Sequence, residues 1–79
     1  MNEYEFAVEV RNTTTSPLKL VLEPWGNEYD LAQNQTARIS FAGPRLYTIP
    51  IDHQGNCIMI EGVEGLRSLG VWIDEELVG

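Results

Sequence analysis

The chain has 79 residues, 43% of them hydrophobic and 22% charged, with twelve Asp+Glu against five Lys+Arg and a formal net charge of -7. Length and apolar content are those of one folded domain, 1–79, and exclude wholesale disorder. The acidic balance repels phosphate backbones and anionic lipids. The basic residues, Arg11, Lys19, Arg38, Arg45 and Arg67, are too scattered to form a patch, so no nucleic acid and no membrane is expected as a partner.

A single cysteine, Cys57, excludes an internal disulfide framework and a cysteine zinc cluster. The opening Met1-Asn2-Glu3-Tyr4-Glu5 is acidic and lacks an apolar signal region. No apolar run approaches the ~20 residues of a membrane span. A cytoplasmic protein is expected.

The dominant hydrophobic period is two. Tyr4, Phe6, Val8 and Val10 alternate with Glu3, Glu5, Glu9 and Arg11, a half-buried strand with a charged outer face. Ser16-Pro17 turns the chain. Leu18, Leu20 and Leu22 form a second strand, ended by Pro24-Trp25-Gly26-Asn27. Tyr29 and Leu31 face inward from a short third strand, and Ala32-Gln33-Asn34-Gln35 connects it to a fourth with Ala37, Ile39 and Phe41 inward. Tyr47, Ile49 and Ile51 suggest a fifth inward row, which Pro50 confines to an edge or a bulge. Asp52-His53-Gln54-Gly55-Asn56 reads as a hairpin loop, Ile58 and Ile60 as a sixth strand, and Leu69 to Ile73 as a seventh. Asp74-Glu75-Glu76-Leu77-Val78 is either a turn into a short strand or a frayed tail.

No segment carries a helical pattern over ten or more residues. The reading is an all-β fold, a small antiparallel β-sandwich of about seven strands. Its expected core comprises Phe6, Val8, Val10, Leu20, Leu22, Tyr29 and Leu31, with Ile39, Phe41, Ile49, Ile58, Ile60 and Val71.

The run Val8-Glu9-Val10-Arg11-Asn12-Thr13-Thr14, then Leu18 to Leu22, then Glu23-Pro24-Trp25-Gly26-Asn27-Glu28-Tyr29-Asp30-Leu31 resembles small uncharacterised bacterial all-β proteins with a Glu-Pro-Trp strand exit. Residues 8 to about 41 also resemble the first half of cupredoxin-like and immunoglobulin-like sandwiches. The resemblance implies fold alone.

A cupredoxin outline invites copper, whose blue-type site takes two His, one Cys and an axial Met. His53, Cys57 and Met59 are present, but the second His is missing. A weak Cu(I) site on Cys57 and Met59 is the most this set supports, and no cofactor is expected. Cys57 has no imidazole other than His53 and no acid spaced to orient it. Ser16, Ser40 and Ser68 lack a glycine-flanked elbow. Asp74-Glu75-Glu76 lacks the spaced pattern of a calcium loop. No glycine-rich loop leads into a helix for phosphate. The chain is therefore expected not to be an enzyme.

The tryptophans carry more. Trp25, between Pro24 and Gly26, either caps the core or is an exposed anchor. Trp72, between Val71 and Ile73, makes its strand apolar on both faces; Gly70 beside it leaves an approach for another chain, and Asp74, Glu75 and Glu76 fence its end. The candidate interaction surface is thus Trp72, Trp25, Asp74, Glu75 and Glu76, for a protein partner or a homodimer. The leading function is a small acidic interaction or assembly module. The alternatives are an acidic inhibitor of a basic nucleic-acid-binding target and a weak metal-binding protein.

Overall fold

A computed structural model describes residues 3–79; Met1 and Asn2 of the expected domain lie outside the described residues. Eight strands follow in order: β1 (Tyr4–Arg11), β2 (Leu18–Glu23), β3 (Asn27–Leu31), β4 (Thr36–Gly43), β5 (Ile51–Gln54), β6 (Cys57–Glu61), β7 (Arg67–Ile73) and β8 (Glu76–Leu77). They form two four-stranded sheets, β1-β4-β7-β8 and β3-β2-β6-β5. Among the described residues there is no helix, and so none long and apolar enough to cross a membrane. The all-β sandwich read from the two-residue period is what the chain forms.

Five of the six strand pairings are antiparallel. The sixth, β2 with β6, is parallel, with Leu20 opposite Ile58 and Leu22 opposite Ile60. Two hairpins, β2–β3 and β5–β6, are joined through that parallel seam to make the second sheet. The first sheet is built from strands distant in sequence, except for the β7–β8 hairpin.

The core lies between the inner faces. Leu20, Leu31, Ala37, Ile39, Phe41 and Ile60 are fully buried, and Val10, Leu18, Leu22, Leu66 and Val71 complete the cluster. Phe6, Val8, Tyr29, Ile49 and Ile58 pack against it half-buried. Every residue of the expected core is in the cluster or packed on it. Phe6 and Phe41, cross-strand partners, stand with ring centroids 6.0 Å apart.

Two local readings are corrected. Tyr47 and Ile49 reach the core from a loop, not from a strand, and β5 begins at Ile51, which is 49% exposed on the sheet edge. Pro50 has no N–H to give the ladder; its carbonyl accepts from Glu61 N–H at 3.0 Å, and pairing starts one residue later. Asp52, His53 and Gln54 are accordingly strand, and the hairpin loop shrinks to Gly55-Asn56 with Gly55 left-handed at φ 56°.

A buried polar hub lies at one end. Asn12, 1% exposed, donates its amide to Ser16 O and Leu31 O, both at 2.9 Å, and accepts from Thr14 N–H at 3.0 Å and Thr14 Oγ1 at 2.7 Å. Its backbone joins Gln35 O and Asn34 N. One side chain thus ties the β1–β2 loop to the end of β3, while its backbone meets the β3–β4 turn.

Candidate functional site

Side chains alternate across each strand, so the residues opposite the core face of the first sheet form one outward surface. Cross-strand pairing sets Glu9 of β1 against Arg38 of β4, Arg38 against Trp72 of β7, and Trp72 against Leu77 of β8. These four residues make a row across the sheet. The Arg38 guanidinium lies 4.8 Å from the Trp72 ring centroid, a cation–π stack. Among the described residues Arg38 makes no ion pair; Lys19 pairs with Glu28 and Arg67 with Glu3.

The floor beside the indole is Gly70. A Cβ there would come within 2.8 Å of Trp72 Cη2, 3.0 Å of Cζ3 and 3.3 Å of Leu77 Cδ1. Trp72 is therefore half-buried against its own sheet and does not stand free of it. The expected approach through Gly70 is corrected on the same ground: the glycine is buried beneath the ring, and β8 borders Trp72 and Ile73.

The chain after β7 is a turn into a short strand. Asp74 and Glu75 both have positive φ, 49° and 70°, and link Ile73 to Glu76 in a two-residue hairpin, the signature of a type I′ turn. Asp74 is tied to the start of β4: its N–H donates to Thr36 O at 2.9 Å, and its Oδ1 accepts from Thr36 N–H at 3.1 Å. Glu75 has the same left-handed backbone without that side-chain bond.

Glu9, Thr36, Arg38, Trp72, Asp74 and Glu75 line an open groove of about 490 Å³. It holds three carboxylates, one guanidinium and one indole. Such a lining suits a cationic, partly apolar ligand surface.

Three of the five sequence-predicted residues, Trp72, Asp74 and Glu75, meet in this groove, and Glu76 follows on β8. Trp25 is elsewhere. Its ring packs 5.9 Å from Phe41 and covers Gly62, where a Cβ would fall 2.4 Å from Cη2. It lies over an end of the core and stays 38% exposed. Sequence reasoning missed Glu9, Thr36 and Arg38, because only the β1–β4 and β4–β7 registers carry them to Trp72.

The soft residues sit on the other sheet. Cys57 and Met59 face outward from β6 beside Asp52 and Gln54 of β5. His53 pairs with Ile58 and so points to the opposite face, where its Nε2 lies 2.8 Å from Gly55 O. The imidazole cannot join Cys57 and Met59, which leaves two soft donors.

The same outward face is acidic. Glu61 is held above the usual carboxylate range, first by the charge of Asp52, then by a hydrogen bond shared with it, with Glu23 adding repulsion. Glu28 raises Lys19 above its ordinary value through their hydrogen bond and charge, at 3.2 Å.

No family model, curated protein or solved structure matches the chain.

Proposed function

We propose that the protein is a small acidic interaction module, without enzymatic chemistry, that docks a protein partner on the outward face of its first sheet. The observation that carries this reading is the indole of Trp72 in a groove rimmed by Glu9, Asp74 and Glu75. Tryptophan and arginine dominate binding energy at interfaces when a partner excludes water from them, and here Arg38 is already stacked on the ring. The partner supplies apolar surface to Trp72 and Leu77, and Lys or Arg to the carboxylate rim. Net charge opposes a second copy and favours a basic partner, in the cytoplasm.

The test is affinity capture from cytoplasmic extract, then titration calorimetry with the purified partner. Trp72→Ser is expected to abolish binding while circular dichroism stays unchanged. A folded Trp72→Ser protein that binds as tightly as the parent overturns the reading.

A second reading, an acidic inhibitor of a basic nucleic-acid-binding protein, is favoured by the outward face of the second sheet. Glu28 and Asp30 flank Lys19 there, and Glu23, Asp52 and Glu61 cluster further along the same face. It requires that the captured partner release DNA when the protein is added, and that Trp72→Ser retain this effect.

A further inference from the structure

Sheet edges offer unpaired backbone N–H and C=O groups, and soluble proteins protect them with short strands, prolines, bulges or charges. Three of the four edges here are short. β8 has two residues, β5 has four and starts after Pro50, and β3 has five. β1 is protected by charge alone, at Glu5, Glu9 and Arg11. It has eight residues, pairs with β4 in unbroken register from Tyr4 to Arg11, and contains no proline and no inward charge. Among the described residues, no backbone hydrogen bond outside that ladder reaches Tyr4–Arg11. A long, regular, open edge remains.

The side chains along it are ordered. On the core side, burial falls from Val10 at 9% exposed, through half-buried Val8 and Phe6, to Tyr4 at 50%. On the solvent side stand Glu5 and Glu9, separated by Ala7, with Arg11 at the end of the strand. An added strand therefore meets apolar surface on one face and two carboxylates on the other, four residues apart, so that they fall opposite every second outward residue of the added strand.

We propose that the free edge of β1 is a strand-addition site for an extended segment of a partner protein that alternates apolar with basic residues. Its apolar residues extend the row of Tyr4, Phe6 and Val8, its Lys or Arg residues oppose Glu5 and Glu9, and backbone bonds to β1 hold it. A second copy fits less well. Antiparallel pairing about Ala7 sets Glu5 against Glu9 twice. Pairing about Val8 matches Glu5 to Arg11 but leaves Glu9 facing Ala7, and each chain brings a charge of -7. This edge is separate from the Trp72 groove and shares only Glu9 with it.

The probe is a synthetic heptapeptide alternating lysine and valine, titrated into the full chain by NMR. Saturable binding is expected to slow hydrogen exchange of alternate amides between Tyr4 and Arg11. Glu5→Lys combined with Glu9→Lys is expected to weaken the lysine peptide at least tenfold and to admit the glutamate–valine peptide instead; circular dichroism checks its fold. Trp72→Ser is expected to bind the peptide unchanged, which separates this edge from the groove. The proposal is overturned by any of three results: no binding at millimolar peptide, equal binding of the peptide N-methylated at every backbone nitrogen, or binding without protection of β1 amides. A protein that dimerises through β1 alone overturns the proposed occupant.

Discussion

The indole of Trp72 lies across Gly70, its neighbour two residues earlier on the same face of β7. No positive φ requires glycine there, so the demand is for space. The same pairing recurs at Trp25 over Gly62 and at Tyr47 against Gly43 and Gly65. Each of these three rings is seated on glycine.

Gly70→Ala places a methyl about where the ring edge now lies. Reduced freedom of the unfolded chain favours alanine by ~0.4–1 kcal/mol. Overpacking costs ~1–3 kcal/mol when the neighbour must move. Steric cost is expected to win, giving a net loss near ~1 kcal/mol in denaturant melts and a change in Trp72 emission. In a Trp72→Ala background the same substitution is expected to be neutral or stabilising, which identifies the ring as the obstacle.

Period-two alternation made the inner rows of β1, β2 and β4 legible, since each buries alternate residues against one core. It could not place Val21. That residue is outward on β2 yet only 8% exposed, because β6 runs parallel beside it and sets Met59 across from it. A parallel partner from a distant segment leaves no local trace in the sequence. Trp72 was legible as an aromatic on a second face. Its companions Glu9 and Arg38 were not, since the register between distant strands brings them together. Asn12 follows β1 as a polar residue with no periodic signal, and only the fold shows it buried.

Phe6→Ala and Phe41→Ala separate the two halves of one aromatic pair. Phe41 is fully buried, so its truncation is expected to cost ~3–5 kcal/mol. Phe6 is half-buried beside the open edge of β1, and ~2–3 kcal/mol is expected for it. Urea melts of the two variants check the order; a larger loss at Phe6 places the core wrongly.

Asn12→Ala strips both bonds donated to carbonyl oxygens and both bonds accepted from Thr14. The Leu31 carbonyl is left buried without that partner, and a loss of ~2–4 kcal/mol is expected. Asn12→Asp keeps the shape, loses the two donors and buries a charge, so it is expected to be no better at neutral pH. A change below ~1 kcal/mol in either variant refutes the hub.

Glu61→Gln tests the carboxylates on the second sheet. A carboxyl whose folded pKa is raised favours the folded state when protonated. That contribution is complete below the ordinary carboxylate value and is lost as pH rises through the raised one. At pH 7 the ionised Glu61 faces Asp52 and Glu23, and removing its charge is expected to raise the melting midpoint slightly. The advantage is expected to vanish on acidification below the ordinary carboxylate range. A Glu61→Gln protein less stable than the parent at pH 7 contradicts the repulsion.

Glu75→Gly separates stability from binding. Left-handed backbone costs a side-chain-bearing residue ~1–2 kcal/mol, and a type I′ turn favours glycine at its second central position. Against that, glycine adds freedom to the unfolded chain worth ~0.5–1 kcal/mol. The net expectation is a gain of ~0.5–1 kcal/mol in thermal or denaturant melts. Asp74 holds the turn to Thr36 through its own two bonds, so the hairpin persists without the Glu75 side chain. The lost carboxylate is one of three at the groove, beside Trp72. A residue that strains the turn and rims the groove is expected to contribute to recognition. The stabilised variant is therefore expected to bind the basic partner several-fold more weakly, with the difference shrinking as salt screens the rim. Higher stability with undiminished binding leaves Glu75 without a role in the interface and moves the recognition to Glu9 and Asp74.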